Sequence, residues 1–126
     1  MEKRINIKIY YEDTDCLGIV YHANYLKFLE RGRTDFIDSL GKTVVDWNRE
    51  GYNFAVYQMQ IKFRQAATLG DVCQVVTKIA PGGSDYRKKI DQRLEHNGEV
   101  ITEASIDLVC LDNNLQLIEF PPGIFS

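Results

Sequence analysis

The sequence predicts an α+β fold, with one long amphipathic helix set between a first strand and a run of antiparallel strands. Residues 4–11, "RINIKIYY", alternate Ile5, Ile7 and Ile9 with polar neighbours, the period-two pattern of a half-buried strand. From about 22 to 40 the period changes, and Tyr25, Phe28, Leu29, Phe36, Ile37 and Leu40 recur at helical spacing. In "YQMQIKFR" Tyr57, Met59, Ile61 and Phe63 alternate with Gln58, Gln60, Lys62 and Arg64, which restores the strand period.

Each remaining element follows in chain order. Gly32 shares the apolar face of the helix; an interior glycine costs about 1 kcal/mol relative to alanine, so its presence predicts close approach to a sheet. Gly41 stands where helix-ending glycines are common. "DVCQVVTKIA" is apolar on both faces and reads as a central strand. "PGGSD" turns the chain, and "YRKKIDQRLE" and "EVITEASIDLVCL" flank Asn97-Gly98, a hairpin signal. "DNN" leads into a last strand, "LQLIEF", that Pro121-Pro122 stops. One helix covers one face of such a sheet, so the other face predicts a homodimer or larger assembly.

The chain has 126 residues, the size of one domain, so a single domain over 1–126 is expected. With 44% hydrophobic and 26% charged residues the composition is globular, which argues against disorder. No apolar run reaches the ~20 residues of a membrane helix, and "MEKRINIKIYYED" has no signal-peptide core, so a cytoplasmic location is expected. A net charge of -3 argues against nucleic acid, although the local run Arg87, Lys88, Lys89 and Arg93 could hold a small polyanion. The three cysteines, Cys16, Cys73 and Cys110, form no CxxC pair and predict reduced thiols rather than a zinc site.

The chemistry concentrates in "YYEDTDCLGIVYHANYLKFLERGR", residues 10–33, where Glu12, Asp13 and Asp15 crowd the turn before the helix. Asp13, Asp15 and Gly18 open like a calcium loop, but Leu17 and Asn24 stand where two of its ligands belong, so no metal is expected. Cys16 and His22 could pair as a nucleophile and base, yet nothing else in the chain supports that dyad. Glu12 and Asp13 read as solvated turn residues. For Asp15 the structural reading is an Asx turn, and the functional one follows from its place just before a helix start. Backbone N–H groups near His22 to Asn24 lack intrahelical partners and carry partial positive charge, so they can polarise a carbonyl oxygen. A lone carboxylate suits thioesters better than amides, because the leaving thiol, with a pKa of about 8.5, departs as thiolate with little acid help.

These residues resemble the signature of the 4-hydroxybenzoyl-CoA thioesterase class of hotdog-fold proteins, nearest its Tol-Pal-associated acyl-CoA thioesterase branch. Asp13, Thr14, Asp15, Gly18, Val20, Tyr21, His22, Tyr25, Glu30 and Arg33 carry the match. The resemblance implies a hotdog fold, in which a five- to six-stranded antiparallel sheet wraps a long central helix. It implies a homodimer, often a tetramer, with active sites at the subunit interface. It also implies hydrolysis of acyl-CoA to free acid and coenzyme A, with coenzyme A as part of the substrate and no separate cofactor. The family's catalytic aspartate falls on Asp15, as nucleophile or general base, with His22 beside it and Tyr21 and Asn24 as pocket residues.

The basic residue that often precedes the serine after the turn is missing here. Gly82 and Gly83 precede Ser84, and Arg87 to Lys89 come later. Ser84, Arg87, Lys62 and Arg64 are therefore the candidates for holding coenzyme A. Glu30 and Arg33 read as a structural ion pair, His96 as an exposed hairpin residue, and Trp47, Tyr52 and Phe54 as packing. The alternative from another class is a non-catalytic acyl-thioester-binding scaffold, and a second enzymatic alternative is a thioesterase acting on acyl carrier protein.

Overall fold

The computed structural model describes residues 1–125. Strand β1 (Glu2–Lys8) leads through a 3-10 turn (Tyr11–Asp13) to helix α1 (Asn24–Asp38) and a short helix α2 (Val44–Arg49). Five strands follow: β2 (Asn53–Phe63), β3 (Val72–Ile79), β4 (Lys88–His96), β5 (Glu99–Leu111) and β6 (Leu117–Ile118). All pairings are antiparallel, in the order β1-β3-β4-β5-β2, with β6 added to β5.

The helix sits on one face of this sheet, as its pattern requires. Tyr25, Phe28, Leu29, Gly32, Arg33, Phe36 and Ile37 form its buried stripe. Against it stand Ile7 and Ile9, then Val75, Ile90, Leu94, Ile106 and Leu108 from the strands. A Cβ added at Gly32 would meet Val75 Cγ1 at 2.5 Å, and Gln92 Nε2 and Thr77 Oγ1 at 3.0 Å. The glycine therefore sets the distance between helix and sheet. That closeness brings polar groups into register. Gln92 Nε2 donates to the Leu29 carbonyl and to Thr77 Oγ1, both at 2.9 Å, while its Oε1 accepts from Arg33 Nη1 at 3.0 Å. Arg33 also pairs with Glu30, so the expected ion pair exists, but it belongs to a larger buried network. Burial depresses the Arg33 pKa, and Glu30 opposes that shift.

Three boundaries differ from the sequence reading. Helix α2 is absent from it, because six residues are too short to show a helical period. Its start is fixed locally, where Thr43 Oγ1 accepts from Asp46 N at 3.1 Å. β2 begins at Asn53 rather than Tyr57, with a bulge between Val56 and Gln58. The last strand shrinks to two residues because Asp112 Oδ1 accepts from the N–H groups of Asn114 and Gln116, which closes a turn in its place. Beyond it, Phe120 is buried and stacked on Phe54, ring centroids 5.9 Å apart.

The face away from α1 carries a band of ion pairs and turns apolar near the end of β5, at Val109 and Leu111. Arg93 pairs with Glu95 and Glu2, Arg4 with Glu95, Arg64 with Glu103, and Lys89 with Asp107. Exposed apolar side chains gather instead along the edge strand β2, at Val56, Tyr57 and Phe63.

Gly32→Ala is expected to destabilise the protein by about 1–2 kcal/mol, because overpacking against Val75 outweighs the gain in helix propensity. Thermal denaturation checks it, and an unchanged or higher Tm would contradict the close approach. Cys73 and Cys110 are buried and Cys16 is exposed. Burial first, and Asp71 second, push the Cys73 thiol from 9.0 to about 11, and burial raises Cys110 as well. The folded state thus holds these protons while the unfolded chain loses them, so stability is full below pH 9 and falls as pH rises toward 11. A disulfide-exchange reagent should titrate one thiol in the native protein and three after denaturation.

Candidate active site

The acidic turn is a small hairpin fixed by its own backbone. Thr14 and Val20 form an antiparallel bridge, Asp15 N donates to Ile19 O at 2.8 Å, and Gly18 N to Asp15 O at 3.1 Å. Gly18 closes that turn at φ +79°, a left-handed conformation that glycine adopts without strain. A second segment pins the hairpin, with Ile19 bridged to Thr68 and Val20 N donating to Ala67 O. Tyr25 Oη in turn accepts from Ala67 N at 3.0 Å, so helix, hairpin and loop meet at one point.

The three carboxylates divide in role. Asp13 Oδ2 accepts from Tyr10 N at 2.9 Å and closes the 3-10 turn, so Asp13 is structural rather than merely solvated. Glu12 is exposed. Asp15 Oδ1 accepts from Leu17 N at 2.8 Å, the Asx turn that its structural reading predicts. That bond uses one oxygen and orients the group. Among the described residues Oδ2 has no hydrogen-bond partner, and the side chain is half-buried. The structural and functional readings of Asp15 are therefore compatible.

The helix start is left open. Ala23 occupies the N-cap position and supplies no side-chain cap, where serine, threonine or aspartate would satisfy a donor. Asn24 N donates to Tyr21 O at 2.8 Å, so it is occupied. The N–H groups of His22 and Ala23 have no acceptor among the described residues. They carry the positive end of a 15-residue helix. The Asp13 carbonyl binds this start to the turn, accepting from Tyr21 N at 3.0 Å and from Asn24 Nδ2 at 2.9 Å. Asn24 thus acts on the backbone rather than as a pocket wall.

A cleft of about 290 Å³ opens beside the helix start, lined by Ile19, Val20, His22, Tyr25, Phe63, Arg64, Gln65 and Ala66. The structure brings His22 and Arg64 together there, and stacks the Tyr21 and His22 rings with centroids 4.5 Å apart. Asp15, Tyr21 and Asn24 do not line the cleft. Lys62 points to a different hollow, on the polar face of the sheet beside Arg93 and Glu103. Ser84 and Arg87 line a third groove, with Tyr57, Tyr86, Val109, Leu111 and Leu117. From Thr102 beside Phe63 to Leu108 beside Lys88, β5 runs six residues, roughly 20 Å. Sequence reasoning therefore grouped residues that one chain keeps in three places. Trp47 and Tyr52 pack edge to face, as expected of packing aromatics. His96 is only half-exposed, 3.7 Å from Asp71, which corrects its reading as a free surface residue. The sequence reading also missed Asp107, although an acid inside the apolar stretch "SIDLVCL" is itself a signal.

A long helix on a six-stranded antiparallel sheet, with an acidic turn tied to an uncapped helix start, defines the hotdog thioesterase class. The chain belongs to the thioesterase-like superfamily, whose family model matches residues 10–125. It is 34% identical over 121 residues to an acyl-CoA thioesterase, YbgC, of Haemophilus influenzae, covering 94% of this chain and 88% of that one. A probable thioesterase from Bartonella henselae superposes with a TM-score of 0.90 at 25% identity, over 96% of this chain and all of that one. A Thermus thermophilus thioesterase complexed with coenzyme A and zinc superposes with a TM-score of 0.83 at 25% identity, over 96% and 92%. The thioester-hydrolysing enzyme that the sequence predicts is the class found.

Proposed function

We propose that this protein hydrolyses acyl-CoA thioesters to the free carboxylic acid and coenzyme A, with Asp15 as the catalytic carboxylate. The observation that carries the reading is the pair of unoccupied donors, His22 N–H and Ala23 N–H, tied through the Asp13 carbonyl to the turn that holds Asp15. A thioester carbonyl seated on those amides gains stabilisation as negative charge grows on its oxygen. The free oxygen of Asp15 then either attacks the carbonyl carbon or takes a proton from an attacking water. Attack forms a mixed anhydride and expels coenzyme A as thiolate, and water then cleaves the anhydride. In the general-base route water adds directly and the same thiolate leaves.

The His22 ring, held against Tyr21, positions water or the carboxylate. Arg64, on the rim of the cleft, and Arg87 with Ser84, in the distal groove, are assigned to the phosphates of coenzyme A. Lys62 lies on the polar face beside Glu103 and is the weakest member of that set. The reaction needs no metal or separate cofactor in this reading, and it is assigned to the cytoplasm and to one domain spanning 1–126. Val56 and Phe63 on the free edge of β2 favour a homo-oligomer built through that edge.

Thiol release from a panel of acyl-CoAs tests the proposal. Asp15→Asn is expected to lower kcat at least about a thousandfold with little change in Tm, since the amide retains an acceptor for Leu17 N. Undiminished turnover in the variant would remove Asp15 from the mechanism. Affinity for acyl-CoA without thiol release by the wild type would favour a binding protein.

A further inference from the structure

Asp107 is a carboxylate that the proposed chemistry does not use. It lies in β5 on the face away from α1, opposite Lys89 on β4 and Gln58 on β2, and is only 3% exposed. Its Oδ1 accepts from Lys89 Nζ at 3.1 Å. Its Oδ2 is buried, has no hydrogen bond among the described residues, and lies 3.8 Å from Arg87 Nη1. Burying a charge with an unsatisfied oxygen is costly unless cations beside it compensate.

Arg87 is held from three sides. Asp107 draws its guanidinium inward, the Tyr57 ring lies 4.3 Å beneath it, and Ser84 fixes its backbone. Ser84 N donates to Arg87 O at 2.6 Å, and Ser84 Oγ accepts from the N–H groups of Tyr86 and Arg87. The bulge in β2 falls at Tyr57, the residue that supplies the ring. With Lys89 the cluster holds two cations and one anion, and of the two cations Arg87 lines a groove of about 530 Å³. The groove walls are the rings of Tyr57 and Tyr86 and the apolar side chains of Val109, Leu111 and Leu117. Flat aromatic walls beside a fixed guanidinium suit a ligand with a stacking base and a phosphate.

We infer that Asp107 is a positioning residue, whose buried carboxylate, neutralised in part by Lys89, holds Arg87 in place at a groove that takes the nucleotide end of coenzyme A. This rests on the proposed acyl-CoA reading. A guanidinium already held in place loses less rotamer freedom when a phosphate arrives, so the gain is in binding and not in the chemical step. Without the carboxylate, the two cations repel each other and turn to solvent.

The test compares two substrates bearing the same acyl group, the coenzyme A thioester and the pantetheine thioester that lacks the nucleotide. Asp107→Asn is expected to raise KM for the acyl-CoA about tenfold, leave its kcat unchanged, and leave both constants for the pantetheine thioester unchanged. Tyr57→Leu keeps the buried carboxylate and should raise KM for the acyl-CoA about threefold, again without effect on the shorter substrate. Equal changes on both substrates, or none on either, would overturn the inference. Calorimetric binding of coenzyme A itself gives a readout independent of hydrolysis. Wild-type protein that binds coenzyme A but cleaves neither thioester would sink the hydrolase reading, and weaker coenzyme A binding by Asp107→Asn would still uphold the positioning role. Wild-type protein with no affinity for coenzyme A would overturn both.

Discussion

The backbone carbonyl of Asp13 is the point on which the site depends. It accepts from Tyr21 N and from Asn24 Nδ2, so one oxygen joins the acidic turn to the first residues of α1. Neither neighbouring carboxylate could do this alone. Asp13 spends its side chain on the 3-10 turn, and Asp15 spends one oxygen on its own Asx turn. What is left over, among the described residues, is one free carboxylate oxygen and two free N–H groups, on segments whose relative placement is fixed by short bonds. In the proposed mechanism, preorganisation of that kind lets a developing oxyanion meet its donors without reorganising them.

The sheet makes this placement rigid. Gly32 lets α1 approach β3 and β4 until Gln92 reaches a helix carbonyl, which anchors the middle of the helix by side-chain bonds as well as by apolar contact. Tyr25 then ties the first turn of the helix to Ala67, the residue whose carbonyl also receives Val20 N. Core packing and site geometry therefore share residues, and a change to the helix–sheet spacing reaches the helix start.

Much of the architecture was legible because periodicity is local. The alternation of Ile5, Ile7 and Ile9 and the stripe from Tyr25 to Ile37 each report which face is buried without needing the partner strand. Helix α2 was not legible, since one and a half turns carry no period and its start rests on a single threonine cap. The last strand was overread because its alternation competes with the Asp112 turn. For the proposed site, the aspartate and the helix start could be read from their spacing, with Asp15 just ahead of the residues where the helical period begins. The grouping of basic residues could not. Which face Lys62, Arg64 and Arg87 reach depends on register, on a bulge at Tyr57 and on the buried Asp107.

The amides of the helix start can be observed directly. In a protein NMR titration, a coenzyme A ketone analogue, with methylene replacing the thioester sulfur, keeps the carbonyl oxygen; the matching simple thioether lacks it. Oxygen seated on the helix start should move the His22 and Ala23 amide protons downfield with the ketone and leave them in place with the thioether. Equal displacement by the two analogues, or none by the ketone at saturation, would show that the carbonyl is polarised elsewhere.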